Sequence, residues 1–87
     1  MRNSLLSTLI ALFPVCLLAG PVDLNKADAD TIARELNGVG TTRAQAIVDY
    51  RNEYGSFESE EELLNVTGIG RHILEVNRIN IMLSKSD

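Results

Sequence analysis

Leu36-Asn37-Gly38-Val39-Gly40-Thr41-Thr42-Arg43 is the stretch that decides the fold, because the chain repeats it in outline thirty residues later. The second copy reads Val66-Thr67-Gly68-Ile69-Gly70-Arg71-His72-Ile73, and both glycines recur in register. Glycine reaches positive φ easily and lacks a Cβ, so Gly-x-Gly predicts a tight turn that another backbone or a ligand can approach closely. Two such turns in register indicate a duplicated unit.

The segments on either side of each turn have the apolar spacing of short helices. We predict four of them, over residues 29–36, 42–54, 60–65 and 71–77. Asp28 is placed to cap the first helix, and Ser59-Glu60-Glu61-Glu62 matches the Ser-x-x-Glu capping box for the third. The predicted fold class is therefore all-α: a compact tandem helix-hairpin-helix (HhH)2 domain of four short helices, preceded by a signal peptide.

The predicted core consists of apolar residues at helical spacing, together with one aromatic residue between the two halves. Val39 and Ile69, between the glycines, are expected to point inward. Phe57 is expected to fill the core between the halves, and Gly55 to end the second helix. The helices are expected to bury Ile32, Ala33, Leu36, Ala44, Ile47, Val48 and Tyr54, and the tail Ile79, Ile81 and Leu83 is expected to lie extended and to pair with residues 22–24.

The first nineteen residues resemble a secretory signal peptide, with Arg2 before an apolar run and small residues Ala19 and Gly20 after it. We therefore predict a signal peptide over 1–19, the tandem helix-hairpin-helix domain over 20–83 and a frayed tail over 84–87. The expected location is the periplasm, reached across the inner membrane. One alternative is a protein anchored by an uncleaved N-terminal segment. Another is a lipoprotein, which Val15 disfavours because a small residue is needed directly before Cys16.

The composition limits the possible chemistry. The chain of 87 residues has a net charge of −4, and without Arg2 its 7 basic and 12 acidic residues give −5. That balance weighs against a general nucleic-acid binder, which is usually basic. Cys16, the only cysteine, lies in the N-terminal apolar run, so the remainder has neither an internal disulfide nor a thiolate metal site.

The two turns nevertheless predict phosphate binding. The first N–H groups of a helix have no partner inside the helix and point outward with partial positive charge, and a glycine before them leaves room for an anion. Basic residues follow both turns, while the acidic residues at the starts of helices one and three are expected at the far ends of the domain. The predicted DNA-binding residues are Asn37, Gly38, Val39, Gly40, Thr41, Thr42, Arg43, Thr67, Gly68, Ile69, Gly70, Arg71 and His72.

No combination of residues indicates catalysis: there is no Cys–His pair, no carboxylate cluster with metal spacing and no Walker-type lysine loop. We predict a protein that is not an enzyme and needs no metal, cofactor or small-molecule substrate. The simplest alternative for the turns is that Gly-x-Gly is just a short connection between helices with solvated basic residues nearby.

The chain resembles the ComEA-type helix-hairpin-helix family of bacterial competence DNA receptors. The resemblance rests on Val22-Asp23-Leu24-Asn25-Lys26-Ala27, Asn37-Gly38-Val39-Gly40, Ala44-Gln45-Ala46-Ile47-Val48, Tyr54-Gly55-x-Phe57, Leu63-Leu64 and Val66-x-Gly68-Ile69-Gly70. It implies sequence-independent binding of double-stranded DNA in the periplasm during DNA uptake. Where that family often has lysines beside both hairpins, this chain has Arg43 at the first and Arg71 and His72 at the second.

The expected partner is therefore the backbone of double-stranded DNA, together with other competence or envelope proteins; membrane contact is expected only through the signal segment before cleavage. A protein-interaction module of an envelope or secretion assembly is the alternative function, because the same fold occurs in an extrinsic photosystem subunit that binds protein. The two differ in salt dependence, since binding through phosphates weakens steeply as salt rises.

Overall fold

The computed structural model of the chain describes residues 20–85, so the predicted signal peptide and the last two residues lie outside the described residues. The fold is mostly helical, as predicted, but the all-α class omits a two-stranded sheet. In chain order the elements are β1 (Val22–Asp23), α1 (Ala29–Glu35), α2 (Gly40–Tyr54), a 3₁₀ helix (Glu60–Asn65), α3 (Arg71–Asn77), a 3₁₀ turn (Arg78–Asn80) and β2 (Ile81–Met82).

In the first half of the domain, the residues at the helix ends determine where α1 and α2 begin and end. Asp28 caps α1 as predicted: its Oδ1 accepts the Thr31 N–H at 2.9 Å. This bond lowers the pKa of Asp28, because it favours the ionised carboxylate. Helix α2 begins at Gly40, two residues before the predicted start, and Gly55 ends it at φ 96°, with its N–H donating to the Arg51 carbonyl.

The second half is built from shorter and tighter helices. Glu60–Asn65 forms a 3₁₀ helix, and the predicted capping box is wrong: Ser59 makes no side-chain capping bond. Glu62 Oε1 instead accepts the N–H of Glu58 at 2.8 Å. The carboxylate reaches one residue beyond the position that a capping box requires, so the reciprocal pair does not form. Helix α3 spans the residues predicted for it.

The core lies between the two halves and contains most of the predicted residues. Phe57 is 2% exposed and stacks on Tyr50 with ring centroids 5.1 Å apart. Tyr54 was wrongly predicted to be buried: it is 66% exposed, and its ring packs beside Tyr50 at 4.7 Å. The buried Phe57 and the partly buried Tyr50 fill this part of the core instead. Two other predicted core residues, Ala33 and Val48, are only half-buried.

The beginning and end of the described chain are joined by the small sheet. Strands β1 and β2 pair in parallel with Val22 opposite Ile81, which confirms the expected pairing of the tail. Ile79 is an exception: it lies in the 3₁₀ turn and is 84% exposed, because the chain becomes extended only at Ile81.

The side chains of Asp23 and Asn25, in and just after β1, strengthen this connection between the two ends of the domain. Asn25 bonds both the N–H and the carbonyl of Phe57 and the carbonyl of Ser84, at 2.7, 3.1 and 2.8 Å. Asp23 accepts the N–H of Ser84 at 3.2 Å, so Ser84 is part of the folded domain and not of the frayed tail that we predicted over 84–87. Burial opposes ionisation of Asp23, but hydrogen bonds from Ser84 and Asn25 together outweigh it and lower the pKa.

Within residues 20–85, no helix is both long enough and apolar enough to cross a membrane.

Candidate nucleic-acid interface

The two Gly-x-Gly turns connect α1 to α2 and the 3₁₀ helix to α3. The first glycines match, since Gly38 and Gly68 have φ of 76° and 94°. The second glycines do not: Gly40 has φ 65°, whereas Gly70 is extended at φ −106° and ψ −178°. A side chain is therefore strained at three of the four positions, and Gly70 is the one that tolerates it.

Each turn is fixed from beneath by the residue between its glycines. Val39 and Ile69 are 1% and 5% exposed, which confirms that both point inward. The Ile69 N–H also donates to the Val66 carbonyl at 3.0 Å, closing the second turn. Because their side chains are buried, these two predicted DNA-binding residues offer a ligand only their backbone.

The surface above the turns is open. A Cβ built on Gly38, Gly40 or Gly70 meets no heavy atom within 4 Å. An anion can therefore approach the backbone there at the distance that a hydrogen bond to an N–H needs. This open backbone is the feature that the sequence predicted for a phosphate site.

Arg43 brings the two turns together. It lies in the first part of α2, and its Nε donates to the carbonyl of Gly68 in the other turn at 2.8 Å. The two copies of the motif are thus neighbours on one edge of the domain. We call this edge, residues 37–43 and 67–72, the hairpin edge.

Arg71 behaves differently from Arg43. Its guanidinium lies 3.3 Å from Glu75, one turn further along α3, and 3.8 Å from Glu61. The predicted separation of a basic edge from acidic far ends is therefore wrong for the second half. The reason is the length of the Arg71 side chain. From the start of the seven-residue helix α3 it extends to Glu75 on the same helix and to Glu61 on the 3₁₀ helix before the turn.

Arg78 organises those acids. It contacts Glu60 at 2.8 Å, Glu61 at 2.6 Å and Glu75 at 2.9 Å. Its hydrogen bonds to Glu75 are the main reason that the pKa of Glu75 falls to about 2, and its separate hydrogen bond to Glu61 lowers the pKa of Glu61. The three carboxylates in turn raise the pKa of Arg78. Glu75 therefore stays ionised at neutral and mildly acidic pH.

The remaining predicted site residues are exposed on the hairpin edge. Asn37, Thr41, Thr42, Thr67 and His72 all reach solvent. Thr41 and Thr42 line a shallow open groove along α2, which continues past Gln45 to Asp49. Gln45 Nε2 donates to Asp49 Oδ1 at 3.0 Å, so the acidic end of the groove is partly covered.

Two residues that support this edge were not predicted. Asn77 is 1% exposed; its Oδ1 accepts the Asn37 N–H at 2.8 Å, and its Nδ2 donates to the Asn37 carbonyl at 2.9 Å. No local signal reveals a contact across 40 residues. The role of Arg78 does have a local signal in the sequence, because Glu75, three positions earlier, is at the spacing of an ion pair on a helix.

Among residues 20–85, no group of three or more His, Cys, Asp or Glu side chains is arranged to hold a metal ion. The acids around Arg78 are held by arginine. What the described surface offers is exposed backbone at two adjacent turns, with one arginine joining them. Fold and site together define a tandem helix-hairpin-helix domain, a class whose motif indicates nucleic-acid binding.

Comparison with known proteins agrees. The model of the helix-hairpin-helix motif family matches residues 19–81, and the chain belongs to this family. It is 44% identical over 61 residues to an uncharacterized protein of Haemophilus influenzae. It is also 39% identical over 74 residues to the transcriptional accessory protein Tex of Neisseria gonorrhoeae, and 37% identical over 54 residues to ComE operon protein 1 of Bacillus subtilis.

These relatives are longer than the matched region. The match covers 70% of this chain and 54% of the Haemophilus protein. It covers 85% of this chain but 10% of Tex, and 62% of this chain but 26% of ComE operon protein 1. The domain is thus shared by proteins of different overall length.

Proposed function

We propose that this protein binds double-stranded DNA through its backbone phosphates, without sequence preference, by means of the hairpin edge. The observation that carries the proposal is the open backbone at two adjacent turns, where no side chain covers Gly38, Gly40 or Gly70. Two anion sites side by side suit a polymer of regularly spaced phosphates. The exposed Thr41, Thr42, Thr67 and His72 supply further polar contacts at the same edge.

We further propose that the protein acts in the periplasm in DNA uptake during competence, as a binding protein and not as an enzyme. The N-terminal apolar run, the ComEA-type motifs and the partial match to ComE operon protein 1 support this role. Intact mass of protein recovered from the periplasm tests the location, with a chain beginning at Gly20 expected. A membrane-bound species that retains Met1 would contradict it.

The phosphate proposal is tested by salt. Purified protein is titrated with two duplexes of unrelated sequence at several salt concentrations. We expect equal affinities for the two duplexes and a log–log slope of roughly −0.9 for each phosphate neutralised. Affinity that differs strongly between the sequences, or that ignores salt, would contradict the proposal.

Gly70→Ala tests the backbone contact with all charges kept. Gly70 has an extended backbone that alanine adopts without strain, and its Cβ would project into open space. The variant should therefore fold like the native protein but bind duplex more weakly, because the methyl group holds a phosphate away from the N–H groups. Ser59→Ala, an exposed position outside the hairpin edge, is the control.

A protein-interaction module of an envelope or secretion assembly is the second candidate. The observation that favours it is the pairing of Arg71 with Glu61 and Glu75, which leaves the second turn less basic than the first. If Gly70→Ala leaves duplex affinity unchanged while the native affinity is insensitive to salt, this candidate replaces the first.

A further inference from the structure

Arg43 makes a contact that a simple surface cation does not need. Its Nε–H donates to the Gly68 carbonyl at 2.8 Å, across 25 residues of sequence. Its Cγ, Nε and Cδ also lie 3.1, 3.3 and 3.5 Å from the position that a Cβ on Gly68 would occupy. The arginine stem therefore packs on the second turn while its head bonds that turn's backbone.

The chemistry of this contact is specific to arginine. Guanidinium carries five N–H donors in a rigid fork, and only the Nε–H is used by Gly68, which leaves the two Nη groups available. None of the ion pairs among residues 20–85 includes Arg43. One side chain can thus bond the second turn and still present positive charge to a ligand.

We propose that Arg43 is the positioning residue that fixes the distance between the two turns, so that both engage one duplex together. This inference rests on the proposed function and adds to it the origin of the paired geometry. Two weak sites held at a fixed separation bind far more tightly than the same sites moving independently, because the second contact becomes intramolecular. A lysine at position 43 keeps the charge but lacks the Nε–H at the middle of the side chain.

The test compares Arg43→Lys with the native protein and crosses it with Gly70→Ala. We expect Arg43→Lys to lower duplex affinity about tenfold, since pairing of the two sites is weakened. Gly70→Ala should then cost less affinity in the lysine background than in the native one, because a second turn that is no longer held contributes less. If Arg43 acts through its charge alone, Arg43→Lys should keep duplex affinity within about twofold of native. The losses from Arg43→Lys and Gly70→Ala should then simply add.

Arg34→Lys is the matched control. Arg34 is exposed on α1 and pairs with Glu35, outside the hairpin edge, so the same chemical change there should leave duplex binding unaltered. Circular dichroism and urea unfolding establish that each variant is folded. Equal losses from Arg34→Lys and Arg43→Lys would overturn the positioning role.

A second measurement uses the native protein and does not depend on any variant folding. The ¹⁵N–¹H signal of Arg43 Nε should exchange slowly with solvent, both free and with duplex bound, because its proton is held by the Gly68 carbonyl. Rapid exchange in the duplex complex would overturn the inference. A native protein that binds no duplex overturns the proposed function, and the inference falls with it; native binding that Arg43→Lys leaves unchanged overturns the inference alone.

Discussion

The two turns share a sequence pattern, but they differ in what surrounds their arginines. Four positions after Arg43 stands Ile47, which is 1% exposed, whereas four positions after Arg71 stands Glu75, 3.3 Å from the guanidinium. Residues four apart lie on the same face of a helix. Arg43 therefore finds no partner along its own helix and extends to the other turn, while Arg71 is held by an acid. The residue one helical turn away decides the role of each arginine.

The largest expected difference between the halves is in duplex binding by neutralised variants. Arg43→Gln should weaken binding about tenfold or more, because it removes an uncompensated charge and a charged hydrogen bond. Arg71→Gln should weaken it only about twofold, because that charge is already shared with two acids at the surface. Both variants are titrated with one duplex at one salt concentration to compare their affinities. Equal losses would mean that the ion pairs of Arg71 do not reduce its contribution to duplex binding.

Asn77→Ala tests how firmly the first turn depends on the second half. The substitution removes both hydrogen bonds to the backbone of Asn37 and the bond to the Ile73 carbonyl. We expect a loss of about 1–3 kcal/mol in the free energy of unfolding, measured in urea, since buried polar groups lose their partner. Asn52→Ala, at an exposed position of α2, is the control and should change stability by less than about 0.5 kcal/mol. Equal stability of the two variants would contradict the bridging role.

Glu75→Gln should make the second turn more like the first. With Glu75 neutral, Arg71 loses its nearest acid, and duplex affinity should rise about twofold. Glu53→Gln, exposed at the far end of α2, makes the same change in net charge and should raise affinity less. Because the pKa of Glu75 is lowered to about 2, Glu75 itself stays ionised at pH 5, so only the substitution removes its charge under binding conditions. An equal rise from both variants would show that only net charge matters.

The smallest effect concerns the helix starts. Ser59→Ala should change stability by less than about 0.5 kcal/mol, since Ser59 makes no capping bond in the second half. Asp28→Ala should lower the urea midpoint further, since Asp28 does cap α1 in the first half. The two melts are compared at one pH near neutrality. A larger loss from Ser59→Ala would contradict the observed cap.

The helices and the inward residues could be predicted because local patterns determine them. The boundaries of α3, the burial of Val39 and Ile69 and the role of Phe57 follow from spacing along the chain. The capping box failed because Glu62 had a competing backbone donor, the N–H of Glu58, at 2.8 Å. Sequence spacing alone cannot rank two donors one residue apart.

The position of the site could be predicted from the sequence, but its backbone conformations and long-range hydrogen bonds could not. The glycines located the hairpin edge, but the identical-looking Gly40 and Gly70 adopt different backbones. The bonds from Arg43 to Gly68 and from Asn77 to Asn37 join residues 25 and 40 positions apart. Such contacts depend on how the two halves pack, and no local periodicity reports them.

The pairing of β1 with β2 has a consequence for the order of folding. Val22 and Ile81 are opposite each other, and Ser84 bonds Asp23 across 61 residues, so the first strand has no partner until the end of this stretch is present. Closing so long a loop costs entropy before it gains contacts, which slows folding relative to a bundle of local hairpins. Removing residues 81–85 should therefore also expose the segment around Val22 to proteases, because the pairing of β1 with β2 and the bond from Ser84 to Asp23 hold both ends of the domain together.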